Sequence, residues 1–285
     1  MLPNIASHCR RAVLLTRDVG ASWEFYRKLF PEWQTVLCAA EPTRPTIAAA
    51  SDECAEGWYP LFAVDTARFK AVQRGELGAG DHTATAHPDE PGALFCRGPQ
   101  GLKFAVVDAA REEPAAHQAP FAELPATRGA VTWVDWAVDP GTIREVALFA
   151  QDALGLRCTC PLDLGVCEYV TLLNSSGDLA NRHKICGVTD RTVVTAKYAT
   201  ATTVPKFCVE SKEAVEEAVD IACAHGGEVL LPPLDADGWV SILQGPFGET
   251  CGVYARNDAG GWDGVKETTQ LTDDVLGCDA LTFSV

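Results

Sequence analysis

The second half of this 285-residue chain repeats the plan of the first, and an internal duplication restricts the possible folds more than composition does. The segment FCRGPQGLKFAVV (95–107) aligns without a gap against ILQGPFGETCGVY (242–254), each reading as strand, Gly-Pro-x-Gly turn, strand. The openings match too. VLLTRD (13–18) and VDWAVD (134–139) are apolar runs that end in Asp and lead into a helical pattern. Asp18 and Asp139 lie 121 positions apart and Gly98 and Gly245 lie 147 apart, so the second copy carries about 26 additional residues.

Composition sets the classes that can be set aside. At 47% hydrophobic and 22% charged, the chain can build one large core or two ordinary ones, and the duplication selects two. A formal net charge of -16 opposes binding to a phosphate backbone or an anionic membrane surface. No basic patch offsets it, since Arg10-Arg11 and Arg27-Lys28 are only pairs. No apolar run approaches a signal peptide or a membrane span, so the expected address is cytoplasmic, with neither nucleic acid nor membrane as partner. Twelve cysteines dispersed through such a chain read mostly as reduced, buried thiols. Alternation puts Cys158 and Cys160 on one strand face, with Cys167, His183 and Cys186 beyond. A zinc site or a redox pair therefore stays open beside free core thiols, although Cys-x-x-Cys spacing is absent.

The first half reads as a strand at 11–17, then a helix capped by Asp18 whose Val19, Trp23, Tyr26, Phe30 and Trp33 recur at helical spacing. Strands follow near 34–40, 45–50 and 59–64, then Asp65 and a short helix with Phe69 and Val72, then strands near 81–87, 92–97 and 102–107. Residues 109–128, rich in Ala, Pro and Glu, suit a linker. In the second half a strand at 131–138 runs into Asp139-Pro140 at a helix start, with Ile143, Ala147, Ala150 and Leu154 on the buried face and Gly155 as the stop. Strands near 157–162 and 166–173 precede a polar stretch at 174–178 that reads as an exposed insertion. A strand at 203–209, a helix from Lys212 to His225 capped by Ser211, and strands near 228–232, 238–244 and 250–255 complete the copy. The expected division is one domain at 8–108, a linker at 109–128, a second domain at 129–256 and an acidic tail at 257–285.

Thr16-Arg17-Asp18 through Phe25-Tyr26-Arg27-Lys28-Leu29-Phe30, and Gly227 to Pro233 followed by Gln244-Gly245-Pro246-Phe247-Gly248, carry a resemblance. Over residues 11 to 256 the chain resembles the two-domain form of the vicinal oxygen chelate superfamily, which includes glyoxalases, bleomycin- and fosfomycin-resistance proteins and extradiol dioxygenases. The resemblance implies an α+β fold of four βαβββ units, paired into two curved-sheet, glyoxalase-like domains. It also implies a divalent metal in a cup of curved sheet, held from the first and last strands of the units. Those places fall here on Arg11, Trp58, Thr132 and Val204, and on Ala105 and Gly252, none of them a usual ligand for a catalytic ion.

The expected cup is therefore a metal-free binding site for a small, partly aromatic or anionic molecule. Trp58, Thr132, Trp136, Trp239 and Tyr254 are the candidate lining, and Arg11, Lys206 and Gln244 the candidate anchors. Asp135, between Trp133 and Trp136 in an apolar strand, needs a partner if buried. The family register places it on the face away from the cup, and a one-residue slip would turn it inward. His82 and His87, five apart in one strand, point to opposite faces and read as surface residues. Cys251 reads as an inert buried thiol, with no histidine close in sequence to activate it. Two other functions remain open. One is a divalent-metal-dependent lyase, isomerase or dioxygenase using Asp135, His82 or His183, and the other a partner-binding scaffold using the extra residues or the tail. By resemblance a monomer is expected, with a homodimer as the alternative.

Overall fold

The computed structural model describes residues 8–35, 46–51, 54–76, 83–87, 90–111, 128–158, 162–163, 168–173, 184–190, 203–235 and 238–255. Strand β1 (His8–Thr16) leads into helix α1 (Val19–Leu29), and the Asp18 carboxylate caps that helix by accepting from the Ala21 amide at 2.9 Å. After β2 (Thr46–Ala49) the plan restarts with β3 (Gly57–Val64) and α2 (Thr66–Arg74), capped in the same way by Asp65 through the Arg68 amide at 2.9 Å. Strands β4 (Thr83–His87), β5 (Glu90–Arg97) and β6 (Lys103–Asp108) complete the first half.

The second half opens with β7 (Val131–Val138) and α3 (Ile143–Leu154), followed by the two-residue β8 (Arg157–Cys158) and β9 (Leu162–Asp163), then β10 (Glu168–Leu173) and β11 (Lys184–Asp190). Strand β12 (Thr203–Cys208) and α4 (Lys212–Ala224) begin the last unit, which β13 (Glu228–Asp235), β14 (Trp239–Gln244) and β15 (Thr250–Ala255) close. Strand β11, beyond the polar stretch, had no counterpart in the sequence reading. Helix α3 starts later than Asp139-Pro140 suggested. Gly141 takes φ +78° and Thr142 becomes the capping residue, its amide bonded to the Asp139 carbonyl at 3.1 Å. The stop at Gly155, with φ +68°, is where the sequence put it.

The strands form two mixed sheets, ordered β2-β1-β3-β6-β5-β4 and β13-β14-β15-β12-β7-β11-β10-β8. Each unit's first strand runs parallel to its own last strand, as β1 with β2, β3 with β6, β7 with β11 and β12 with β15. The two first strands of each half pair antiparallel, β1 with β3 and β7 with β12. This repetition is the fold the duplication called for: α+β, two curled sheets, one per half. Both Gly-Pro turns close hairpins in the expected register, Arg97 opposite Lys103 and Gln244 opposite Thr250. Most of the linker (112–127) and the whole tail (257–285) lie outside the described residues, as does much of the expected strand at 34–40.

Alternation sends each strand's side chains to two different environments. On one face, Ala12, Leu14, Trp58, Phe62 and Phe104 of the first sheet, Val134, Trp136 and Phe207 of the second, and the buried stripes of all four helices merge into one core. Phe207 stands at its centre, with Phe30, Trp33 and Trp58 at ring-centroid distances of 5.2, 5.3 and 5.2 Å. Trp33 also donates through Nε1 to the Gly129 carbonyl at 3.1 Å, which ties the start of the second half to α1. On the opposite faces lie the two cups, each filled from its own sheet. No described helix is long and apolar enough to cross a membrane.

Candidate binding site in the C-terminal cup

The two cups differ in chemistry. In the N-terminal one, Val13, Leu15, Tyr59, Leu61, Ala63, Phe95, Ala105 and Val107 pack into an apolar cluster. Burial pushes the Tyr59 phenol up, and its hydroxyl donates to the Ala55 carbonyl at 2.8 Å. His87 corrects the surface reading given to it. It is 3% exposed, lies with its ring tilted 5.3 Å from that of Phe95 and hydrogen-bonds the Ala49 carbonyl through Nε2 at 2.8 Å. His82 lies outside the described residues.

The C-terminal cup is polar at its centre. Trp133, Asp135 and Ala137 alternate along β7 onto the cup face, so Asp135 points inward and the register that turned it away is corrected by one residue. Asp135 Oδ1 accepts from Trp133 Nε1 at 2.7 Å and from the Tyr169 hydroxyl at 2.9 Å. Its other oxygen, Oδ2, pairs with Lys206 Nζ at 2.5 Å, and the two side chains are 8% and 20% exposed. A buried carboxylate is tolerable only with this density of partners. Burial, with the Asp135 charge adding, pushes the Tyr169 phenol well above its ordinary range, so Tyr169 stays protonated as a donor.

Two glycines make room for the cluster. Gly187 on β11 is the cross-strand neighbour of Asp135, and a Cβ there would collide with the Tyr169 hydroxyl. Gly252 on β15 is the neighbour of Lys206, and a Cβ there would stand 2.7 Å from Lys206 Cγ. Neither has a positive φ, so what matters at both positions is space rather than backbone freedom. Around this centre Val204, Leu230, Val240, Ile242 and Tyr254 form the apolar lining.

Of the nine residues read from the sequence, Asp135, Lys206 and Tyr254 meet in this cup. Trp58 and Trp136 do not. Both lie in the core between the sheets, Trp136 against Phe62 at 5.8 Å, because they sit on the opposite alternation of their strands. Trp239 also leaves the cup, lying under α4 with Lys212 Nζ 4.4 Å above its ring. Gln244 sits at the hairpin turn, where its Nε2 donates to the Gly248 carbonyl at 3.2 Å. The side chains of Arg11 and Thr132 lie outside the described residues. The sequence reading missed Trp133, Tyr169, Gly187 and the spatial role of Gly252. Only the Trp133-x-Asp135 spacing, which puts both residues on one strand face, could have pointed there.

The residues described here do not fit the divalent metal that the resemblance implies. A catalytic ion needs about three converging donors and an open position. Asp135 is already held by an ammonium and two hydrogen bonds, Val204 and Gly252 bring no donor side chain, and no group of three His, Cys, Asp or Glu among the described residues is placed to hold an ion. Cys158 is half-buried and donates to the Ala147 carbonyl at 3.2 Å, Cys186 is buried, and Cys160, Cys167 and His183 lie outside the described residues. Cys251 is fully buried, and burial pushes its thiol up to about 12, as suits an unreactive thiol.

The architecture is the glyoxalase-like fold that the resemblance implied, and solved structures share it. A 2,2',3-trihydroxybiphenyl 1,2-dioxygenase from Sphingomonas wittichii superposes with a TM-score of 0.52 over 88% of this chain and 90% of its own, at 12% identity. An extradiol ring-cleaving dioxygenase from B. fuscum gives 0.52 over 88% and 72% at 13% identity. A mutant 4-hydroxymandelate synthase from Streptomyces coelicolor gives 0.50 over 92% and 96% at 13% identity. The sequence matches no family model and no curated protein. At these identities the likeness is one of fold.

Proposed function

We propose that the protein binds a small organic acid with an aromatic or enolic body in its C-terminal cup, without a resident metal. The observation that carries this reading is the Lys206–Asp135 pair, a side-chain cation fixed at the centre of the cup. An ammonium has three donors, so Lys206 can hold Asp135 and an incoming carboxylate or acidic phenol together. In a site this shielded from water, such a charge-assisted bond is stronger than at the surface. Asp135 keeps the ammonium in place, the Tyr169 and Trp133 donors keep Asp135 in place, and Trp133 and Tyr254 offer aromatic faces to the body of the ligand.

Calorimetric titration with benzoate and salicylate tests this. Wild type is expected to bind at least one of them, Lys206→Met to lose tenfold or more in affinity, and benzamide not to bind. Failure of every acid, or equal binding by Lys206→Met, overturns the reading. Loading with Fe(II) or Zn(II), desalting and elemental analysis address the metal, and one retained equivalent per chain would count against a metal-free site. The metal-dependent lyase, isomerase or dioxygenase reading draws on dioxygenase neighbours that share only the fold.

A further inference from the structure

Where the starts of β3 and β6 meet the β14–β15 turn, the sheets leave a cleft of about 130 Å³, and none of its lining residues belongs to the C-terminal cup. Leu14, Leu15 and the half-exposed Phe247 give it apolar walls. Lys103, the first residue of β6, reaches along this wall to two other lining residues, Glu56 and Gly57. Its Nζ donates to the Glu56 carbonyl, and a Cβ at Gly57 would stand 2.5 Å from that nitrogen. Gly57 takes φ +129°, so both its backbone and the seat of the lysine require a residue without a side chain. The start of β6 is held from the other sheet as well, where Thr203 Oγ1 on β12 donates to the Lys103 carbonyl at 3.1 Å. A half-buried amine is thus fixed inside a cleft with apolar walls.

That setting changes what the amine can do. A lysine in water is an ammonium with no lone pair, and desolvation is what turns a lysine into a nucleophile. Burial, with the Arg97 charge across the hairpin adding, holds Lys103 below its ordinary range, and the Glu56 charge that opposes this is itself paired with Arg17. A neutral amine has two N–H donors and a lone pair, so one N–H serves the Glu56 carbonyl and the pair remains for an electrophile. A carbonyl carbon is the electrophile a lysine takes up reversibly. The nitrogen pair adds to that carbon, the carbonyl oxygen takes one nitrogen proton, and the hydroxyl so formed leaves with the other as water, giving a C=N bond. Protonated from solvent, this imine keeps one N–H for the Glu56 carbonyl. Glu56 and Glu249 also line the cleft, beside a single described cation, which favours a neutral compound over an acid. The volume is close to that of the dry cavity of about 150 Å³ known to accept benzene.

We propose that this cleft is a second site, where Lys103 captures a small neutral aldehyde or ketone, about one ring in size, as an imine on Nζ. Benzaldehyde is the probe, with cyanoborohydride present to deliver hydride to the imine carbon and fix the adduct as a secondary amine, and peptide mass mapping reads each lysine separately. At neutral pH Lys103 should be labelled at least tenfold faster than Lys28 and Lys70, which are exposed on α1 and α2. That preference should vanish in urea, because it belongs to the cleft and not to the local sequence. Lys103→Met should remove the fast adduct without speeding labelling elsewhere, and Lys206→Met, which disables the acid site of the cup, should leave it unchanged. If Lys103→Met does not fold, the wild-type map in buffer and in urea decides alone. Labelling of Lys103 no faster than that of Lys28 and Lys70 overturns the proposal. So does a preference that survives in urea, or an adduct that forms first on Lys206, which would place carbonyl capture in the cup.

Discussion

Asp135 shows how one residue's role turns on which strand face it occupies. It sits in an apolar strand, and on the cup face it gathers Lys206, Tyr169 and Trp133 around its two oxygens. Buried pairs of this kind cost desolvation that their attraction repays only in part. Asp135→Ala, which takes from Lys206 its buried counter-charge, is expected to destabilise the fold by about 3–5 kcal/mol. The double change Asp135→Leu with Lys206→Met restores an apolar centre and should recover most of that loss while abolishing acid binding. Urea denaturation of the three proteins measures it. A double variant as unstable as the single one would mean that the cluster holds the fold together rather than serving a ligand. The sequence exposed the Trp133-x-Asp135 spacing but not Tyr169, because a contact between β7 and β10 depends on sheet order and leaves no local signal.

Among the elements, the two Gly-Pro turns began as one motif and now have different surroundings. The second bends through Gly248 at φ +87° and carries Glu249 to the inter-sheet cleft. The first places Gln100 at φ +56°, where its Oε1 accepts from the Asp139 amide at 2.9 Å, and it seats Gly98 against α3. Gly98 has ordinary extended dihedrals, so alanine is allowed by its backbone, but a Cβ would lie 2.8 Å from the Phe149 ring. Gly98→Ala should therefore cost about 1–3 kcal/mol by overpacking, and Phe149→Leu in the same chain should return part of it. Thermal unfolding of the two variants checks both signs. The hairpins and the helix caps Asp18 and Ser211 were readable because they rest on local chemistry. The late start of α3 was not, since Asp139-Pro140 is a sound helix opening that the Gly141 backbone overrides.

For the whole molecule, the core that joins the halves is larger in kind than either cup: aromatic, helix-covered and built from both sheets. Phe207, fully buried among Phe30, Trp33 and Trp58, is its keystone. Phe207→Ala should cost about 3–5 kcal/mol, a large share of the roughly 5–15 kcal/mol that holds a typical domain. Because both sheets share this core, wild-type unfolding followed by circular dichroism and by tryptophan fluorescence should coincide in one transition. Two separated transitions would contradict an energetic union of the halves.

By itself the sequence determined the order of strands and helices apart from β11, the capping residues Asp18 and Ser211, the paired hairpins and the duplicated plan, because each follows from interactions within a few residues. Only the tertiary structure decided which face of each strand became cup and which became core. A strand alternates with period two whichever way it is turned, and a one-residue difference in register exchanges the two faces. That exchange moved Trp58 and Trp136 into the packed interior and brought Asp135 to Lys206.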